Sequence, residues 1–162
     1  MESMQIRDVA ARANVSTRTL HLHFPSKSFL LLSALVERAE STGYFPETRE
    51  STSRDPLERV VAAFQQPTDL LIALPQVAAG LMMALVAPDP LAVPLLRAYR
   101  DGVEERTVQA LAVGEPTPRD AMVARALAQV WFAAMAGWVT GAEGPESVMI
   151  AVQNAAHLML EE

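Results

Sequence analysis

The chain contains no cysteine, an absence that removes disulfides, thiolate metal sites and cysteine nucleophiles together. This fits a reducing compartment, and the expected location is the cytoplasm. Long apolar runs are also missing: none reaches the roughly 18 residues of a membrane span. The opening MESMQIRD lacks the basic-then-apolar order of a secretory signal. Histidine is scarce, with three in 162 residues. His21 and His23 are two positions apart, so on a helix they point about 200° away from each other and cannot chelate one metal. His157 stands alone. The chain has no HExxH, nucleophile elbow, P-loop or GxGxxG. Adjacent acids such as Glu104 with Glu105, and Glu161 with Glu162, read as solvated charge. No enzymatic activity, cofactor or metal is expected.

Positive charge is in deficit too, with 13 basic against 19 acidic residues for a formal charge of −6. The deficit is uneven. Residues 1 to 38 hold five basic residues (Arg7, Arg12, Arg18, Lys27, Arg38) against three acidic ones, whereas the remainder holds eight against sixteen. Only the N-terminal segment has the sign that suits a polyanion. The composition otherwise, 51% hydrophobic and 20% charged, lies in the ordinary globular range and suffices for one or two compact units.

Helical punctuation fills the chain. Proline follows a capping-type residue or glycine at Asp55-Pro56, Asp89-Pro90, Thr117-Pro118 and Gly144-Pro145. That is the order of an N-cap and a first helical residue, where the missing N–H costs nothing. Asp55 with Glu58, and Thr117 with Asp120, approximate capping boxes. These starts predict helices near 56–66, 90–112, 118–142 and 145–160, with a less regular piece from Pro67 to Ala87 that is helical on either side of Pro75. No alternating β-branched run bounded by Asn-Gly or Asp-Gly competes for a strand, so the expected class is all-α. The polar stretch PETRESTSRD, residues 46–55, has no apolar periodicity and reads as a linker. It divides a unit of residues 1–45 from one of residues 46–162.

In the first unit, Ile6, Val9, Ala10 and Ala13 follow helical spacing. Asn14 tolerates a left-handed backbone, and Ser16 is a good N-cap for a second helix. This is helix-turn-helix punctuation, with Val15 and Leu20 expected to plug the angle between the helices. On the second helix Leu20 and Phe24 share the inward side, leaving Arg18 and Leu22 opposite and Thr17, Thr19 and His21 on the flanks. Arginine can bind guanine bidentately, threonine can meet phosphate or a thymine methyl, and histidine can donate to phosphate. Ser26 and Lys27 open a third helix whose N-terminus suits a phosphate. An ordinary amphipathic helix with a solvated polar face presents the same residues, but the turn, the cap and the following FPSK favour the nucleic-acid reading.

Over residues 6–35, IRDVAARANVSTRTLHLHFPSKSFLLLSAL, the chain resembles the DNA-binding region of TetR/AcrR-type transcriptional regulators. Ala10, Ala13, Val15, Ser16, Thr19, Leu20, Phe24, Ser26, Lys27 and Leu30 stand at matching positions. The resemblance implies a recognition helix over residues 16–24, so that Ser16, Thr17, Arg18, Thr19, His21 and Leu22 meet DNA while Lys27 contacts phosphate. It also implies C-terminal helices that bind an effector and form a homodimer on a palindromic operator. The departures are Asn14 for the turn glycine, His21 for a tyrosine, Leu22 where a basic or polar residue is common, and Gln5 for a capping threonine. The family has a further helix before this point and only MESMQ precedes Ile6, so the first helix is expected to be missing.

The second unit is rich in flexible and large apolar side chains. Phe64, Met82, Met83, Trp131, Phe132, Met135 and Trp138 are the candidates to line a cavity for a hydrophobic small molecule; a well-filled core would use the same residues. The segments 117–141 and 144–162 are apolar around much of their circumference, with alanines and Gly137 permitting close approach. Such helices need burial on both sides, within one chain or across a dimer interface. Two readings follow. The first is a ligand-responsive repressor, released from operator DNA by a hydrophobic small molecule. The alternative is a TetR-like dimer that binds a small molecule or protein and has lost DNA binding.

Overall fold

The computed structural model describes residues 5–41, 53–87 and 89–160. Its regular elements are helical throughout: α1 (Ile6–Arg12), α2 (Thr17–His23), α3 (Lys27–Ser41), α4 (Pro56–Ala73), α5 (Pro75–Val86), a 3₁₀ turn (Pro90–Ala92), α6 (Val93–Leu111), α7 (Pro118–Val139) and α8 (Glu146–Leu160). The all-α expectation therefore holds. Most of the linker stretch, and with it the division near residue 45, lies outside the described residues.

The capping signals account for where helices begin. Ser16 Oγ accepts from Thr19 N at 3.0 Å, Ser26 Oγ from Phe29 N at 3.1 Å, Asp55 from Leu57 N at 2.9 Å and Asp89 from Leu91 N at 3.0 Å. Each satisfies an N–H that has no partner inside its own helix. At α7 the reciprocal box forms: Thr117 N donates to the Asp120 carboxylate at 2.7 Å while Asp120 N donates to Thr117 Oγ1 at 3.2 Å. Two boundaries differ from expectation. Pro67 does not end a helix, since α4 runs through it to Ala73. Val60, Ala63 and Phe64 before the proline, and Thr68 and Leu71 after it, are buried on one continuous face, and that packing outweighs the roughly 3 kcal/mol cost of an interior proline. The segment from Pro90 starts as a 3₁₀ turn and becomes α-helical only at Val93, because Pro94 has no N–H for the first α-type bond.

The core gathers Leu32 and Val36 of α3, Val60 and Phe64 of α4, Leu81 of α5, Val103 of α6, Leu127, Trp131 and Met135 of α7, and Val148 and Val152 of α8. α7 packs between α6 and α8, α4 lies on α6 and α8, and α3 rests on α5 and α6. α4 and α5 meet at a 109° bend. By length and composition α7 would suffice to cross a membrane, with a mean hydropathy of 1.3 over 18 residues. The expectation from apolar runs missed this because Arg125 and Gln129 interrupt the run. In the fold one side of α7 fills the core and the other faces outward.

Candidate nucleic-acid interface and apolar cleft

The bend between α1 and α2 is built by two residues. Asn14 takes φ +53°, the left-handed region that short polar side chains tolerate, and Val15 N returns to Ala10 O at 3.0 Å. Ala10, 2% exposed, lets the helices close on each other, and Leu20 at 7% fills the angle. Val15 does not share that role. It is 41% exposed, because it stands at the turn itself before Ser16 opens α2.

Ser16 is held from two directions: its Oγ accepts from Thr19 N and lies 2.8 Å from Thr19 Oγ1. Both hydroxyls are thus partly engaged with each other at the exposed N-terminus of α2. Thr17, Arg18, His21 and Leu22 all face outward, and Leu22 is 74% exposed. Lys27 is exposed at the start of α3. Gln5 makes no side-chain cap on α1. The structure therefore brings Ser16, Thr17, Arg18, Thr19, His21, Leu22 and Lys27 to the surface of one helix-turn-helix and the adjacent helix start. A donor-rich short helix of this kind, standing proud of the fold, is shaped to enter a groove.

Sequence reasoning missed one contact. The Asp89 carboxylate accepts from the Ser26 hydroxyl, and this bond, with that from Leu91 N–H, holds the carboxyl below its usual range. Ser26 thus caps α3 and stands beside the turn that precedes α6. Nothing in the spacing of two residues 63 positions apart signals this pairing. A second contact lies nearby. Gly80 of α5 approaches Leu31 of α3 so closely that a Cβ would stand 2.5 Å from Leu31 Cδ2.

The seven residues proposed to line a cavity separate into three groups. Phe64, Trp131 and Met135 are in the core at 2%, 0% and 0% exposure. Trp131 Nε1 donates to Thr68 Oγ1 at 2.8 Å, and that hydroxyl donates to Phe64 O at 2.6 Å. The indole's one donor is therefore already used. Met82 and Phe132 do line an open cleft of about 280 Å³ between α5, α6 and α7, together with Leu85, Val86, Arg100, Gln129, Ala133 and Ala136. Met83 is 63% exposed on the other side of α5, and Trp138 is half-buried beyond the cleft near the end of α7.

The cleft wall is aromatic and carries one cation. Phe132 lies 5.0 Å from Trp131 and 6.4 Å edge-on from Tyr99, centroid to centroid, and the Arg100 guanidinium sits 6.0 Å above its ring. Tyr99 is buried, and desolvation pushes its phenol well above the usual value. Arg100 and Gln129 were not singled out from sequence. The available signal was the helical wheel of α6, on which Leu96, Tyr99 and Val103 point inward and Arg100 borders that face. On the outer side of α7 and α8, Met122, Ile150 and Leu158 are 68%, 52% and 80% exposed. No group of three metal-ligating side chains occurs among the described residues.

The family model described as tetracyclin repressor-like, C-terminal domain, matches residues 54–159, and that described as bacterial regulatory proteins, tetR family, matches residues 1–34. The chain is similar to the HTH-type transcriptional repressor KstR of Rhodococcus jostii (strain RHA1), with 30% identity over 98% of this chain and 74% of that protein. The KstR protein of Mycobacterium tuberculosis is 26% identical over 98% of this chain and 72% of its own length. Among solved structures, a TetR transcriptional regulator from Rhodococcus sp. RHA1 superposes with a TM-score of 0.78 over 97% of this chain and 84% of that chain, at 22% identity.

Proposed function

The chain belongs to the tetR family of bacterial regulators, and on that premise we propose that it is a ligand-responsive repressor. As a homodimer it reads a palindromic operator through α2 and leaves it when a hydrophobic small molecule binds among the C-terminal helices. Residues 1–45 form the DNA-reading unit and residues 46–162 the effector-binding and dimerisation unit. The observation that carries the reading is the outward face of α2: Thr17, Arg18, His21 and Leu22 stand exposed on a helix whose start is fixed by the Ser16–Thr19 pair.

On this reading Arg18 reaches a base edge while Thr17, His21 and Lys27 meet phosphate. Leu22 contributes apolar contact to a thymine methyl, where a polar residue would seek a hydrogen bond. Dimerisation through the outer sides of α7 and α8 covers Met122, Ile150 and Leu158, which are too exposed and too apolar to favour water. It also sets two recognition helices about 34 Å apart, one per successive major groove. Ligand binding alters operator affinity only if the ligand favours one of two arrangements of the dimer by free energy.

Electrophoretic mobility with the DNA upstream of its own gene tests the reading. The wild type is expected to shift a palindromic fragment at a salt concentration that abolishes binding to random DNA. Arg18→Ala should weaken that shift roughly 5- to 150-fold, the equivalent of about 1–3 kcal/mol for a base contact. A folded dimer that shifts no upstream fragment even at low salt would overturn it, and would favour a regulator that has given up DNA.

A further inference from the structure

The cleft between α5, α6 and α7 combines an apolar wall with one exposed cation, Arg100, at its edge. Met82, Leu85, Val86, Phe132 and the small Ala133 and Ala136 supply the wall. Arg100 stands over the Phe132 ring at 6.0 Å, and among the described residues it forms no ion pair. An arginine of α7 differs. Arg125 on α7 holds Glu104, one turn beyond Arg100 on α6, at 3.3 Å. Arg125 is thus paired within the chain, while Arg100 leans its guanidinium across an aromatic ring at the edge of a hollow. A guanidinium so placed keeps its planar fork of donors for a carboxylate, and Gln129 adds an amide to the same cleft.

We propose that this cleft is a binding site for a small amphipathic carboxylic acid, the apolar tail lying against Phe132 and Met82 and the carboxylate paired with Arg100. A carboxylate completes the pair that the chain leaves open, whereas a neutral tail leaves Arg100 as it is and an alkylammonium meets a like charge. The cleft, about 280 Å³ and open to solvent on one side, has room for the apolar tail of a medium-chain or aryl-substituted acid. This inference rests on the effector reading above, to which it adds the ligand's chemical class and the residue that recognises its charge.

The test uses the full chain and three probes of equal tail length, decanoate, decan-1-ol and decyltrimethylammonium, below the concentrations at which they aggregate. Binding is followed by isothermal titration calorimetry and, in a Trp138→Phe background, by the fluorescence of Trp131, whose ring lies 5.0 Å from Phe132. Decanoate is expected to bind saturably and at least 10-fold more tightly than decan-1-ol, with the ammonium weakest. Arg100→Gln should abolish the preference for acid over alcohol, and Ala133→Leu, which fills the cleft from its exposed side, should weaken acid and alcohol alike. Equal affinity for acid and alcohol, unchanged decanoate binding by Arg100→Gln, or no saturable decanoate binding by the wild type would each overturn the inference. Operator binding is measured separately with the same variants. Decanoate that binds through Arg100 without changing operator affinity leaves the cleft assignment standing and removes the release mechanism. Release by a hydrophobic ligand that both variants still obey does the reverse.

Discussion

Thr68 and Thr107 form a matched pair of probes for what holds the cleft wall in place. Both are buried, at 0% and 2% exposure, and both donate their hydroxyl to the carbonyl four residues back, at 2.6 and 2.8 Å. Only Thr68 also accepts a bond, from Trp131 Nε1 at 2.8 Å. Valine removes the hydroxyl and leaves almost the same volume, so the cavity term is small at either site. At Thr107 the carbonyl left behind belongs to a helical ladder that already serves it, and the change should cost about 0–1 kcal/mol. At Thr68 the same change leaves a fully buried indole N–H without a partner, which adds about 1–3 kcal/mol. For a chain of this length each kcal/mol moves the melting temperature by roughly 2–4 °C. Thr68→Val should therefore melt roughly 2–12 °C below Thr107→Val, by circular dichroism at one fixed protein concentration. In a double-mutant cycle, Trp131→Phe should cost about 1–3 kcal/mol less in the Thr68→Val background than in the wild type, because the orphaned donor is gone. Additive effects, or Thr68→Val as mild as Thr107→Val, would refute the argument and show the indole to be held by packing alone.

Arg59 clamps the far end of α6: it donates to Ala110 O at 2.8 Å and Leu111 O at 3.1 Å, and also to the Arg54 carbonyl at 3.1 Å. Lysine cannot reproduce that fork, so Arg59→Lys should lower the urea midpoint by the equivalent of about 1–3 kcal/mol without changing the slope. An unchanged midpoint would mean that water replaces the guanidinium. Gly80→Ala should destabilise by about 1–3 kcal/mol despite alanine's higher helix propensity, because the new methyl meets Leu31. Leu31→Ala should then cost less in the Gly80→Ala background than alone, and a stabilising Gly80→Ala would show that α3 has room to give. Bonds from the Thr117 backbone and hydroxyl hold the Asp120 carboxyl below its ordinary 3.8. A depressed carboxyl contributes stability above its unfolded value and loses it as pH falls through the folded one. Between pH 5 and pH 2.5 the wild type should thus lose more thermal stability than Asp120→Asn, and parallel losses would contradict the capping box.

Helix starts were legible in this sequence because each is a local event, decided by one side chain and the next two amides. Ser16, Asp55, Asp89 and Thr117 needed no tertiary information. The interior of α4 was not legible, since a proline rule applied locally to Pro67 ignores the burial of Phe64, Thr68 and Leu71 on either side of it. The same limit governs the sites. The outward residues of α2 follow from helical geometry around Leu20, so their exposure could be read from spacing alone. The cleft follows from how three helices meet. Apolar character marked Met82 and Phe132 correctly as neighbours of one hollow, but it equally marked Trp131 and Met135, which fill the core, and Met83, which faces away. Arg100 escaped notice because a charged residue on a mixed helix looks solvated until a ring is found beneath it.

α3 connects the helix-turn-helix with the helices that border the cleft. Its N-terminus follows α2 after a short bend and is fixed by Ser26, whose hydroxyl is bound to Asp89 just before α6. Midway along, Leu31 is pressed against Gly80 of α5. Two residues beyond Gly80, on that same helix, Met82 borders the cleft, as Arg100 does on α6. α3 thus meets α5 and the turn before α6 at two points, one steric and one polar, on its way from the cleft helices to α2. Close packing couples neighbouring helices where their side chains interlock, as Leu31 does over Gly80. Ser26 and Asp89 are both half-buried where α3 begins beside the turn before α6. Leu31 against Gly80 limits how closely α3 can approach α5, while Ser26, beside Asp89, stands at the start of α3 next to Lys27.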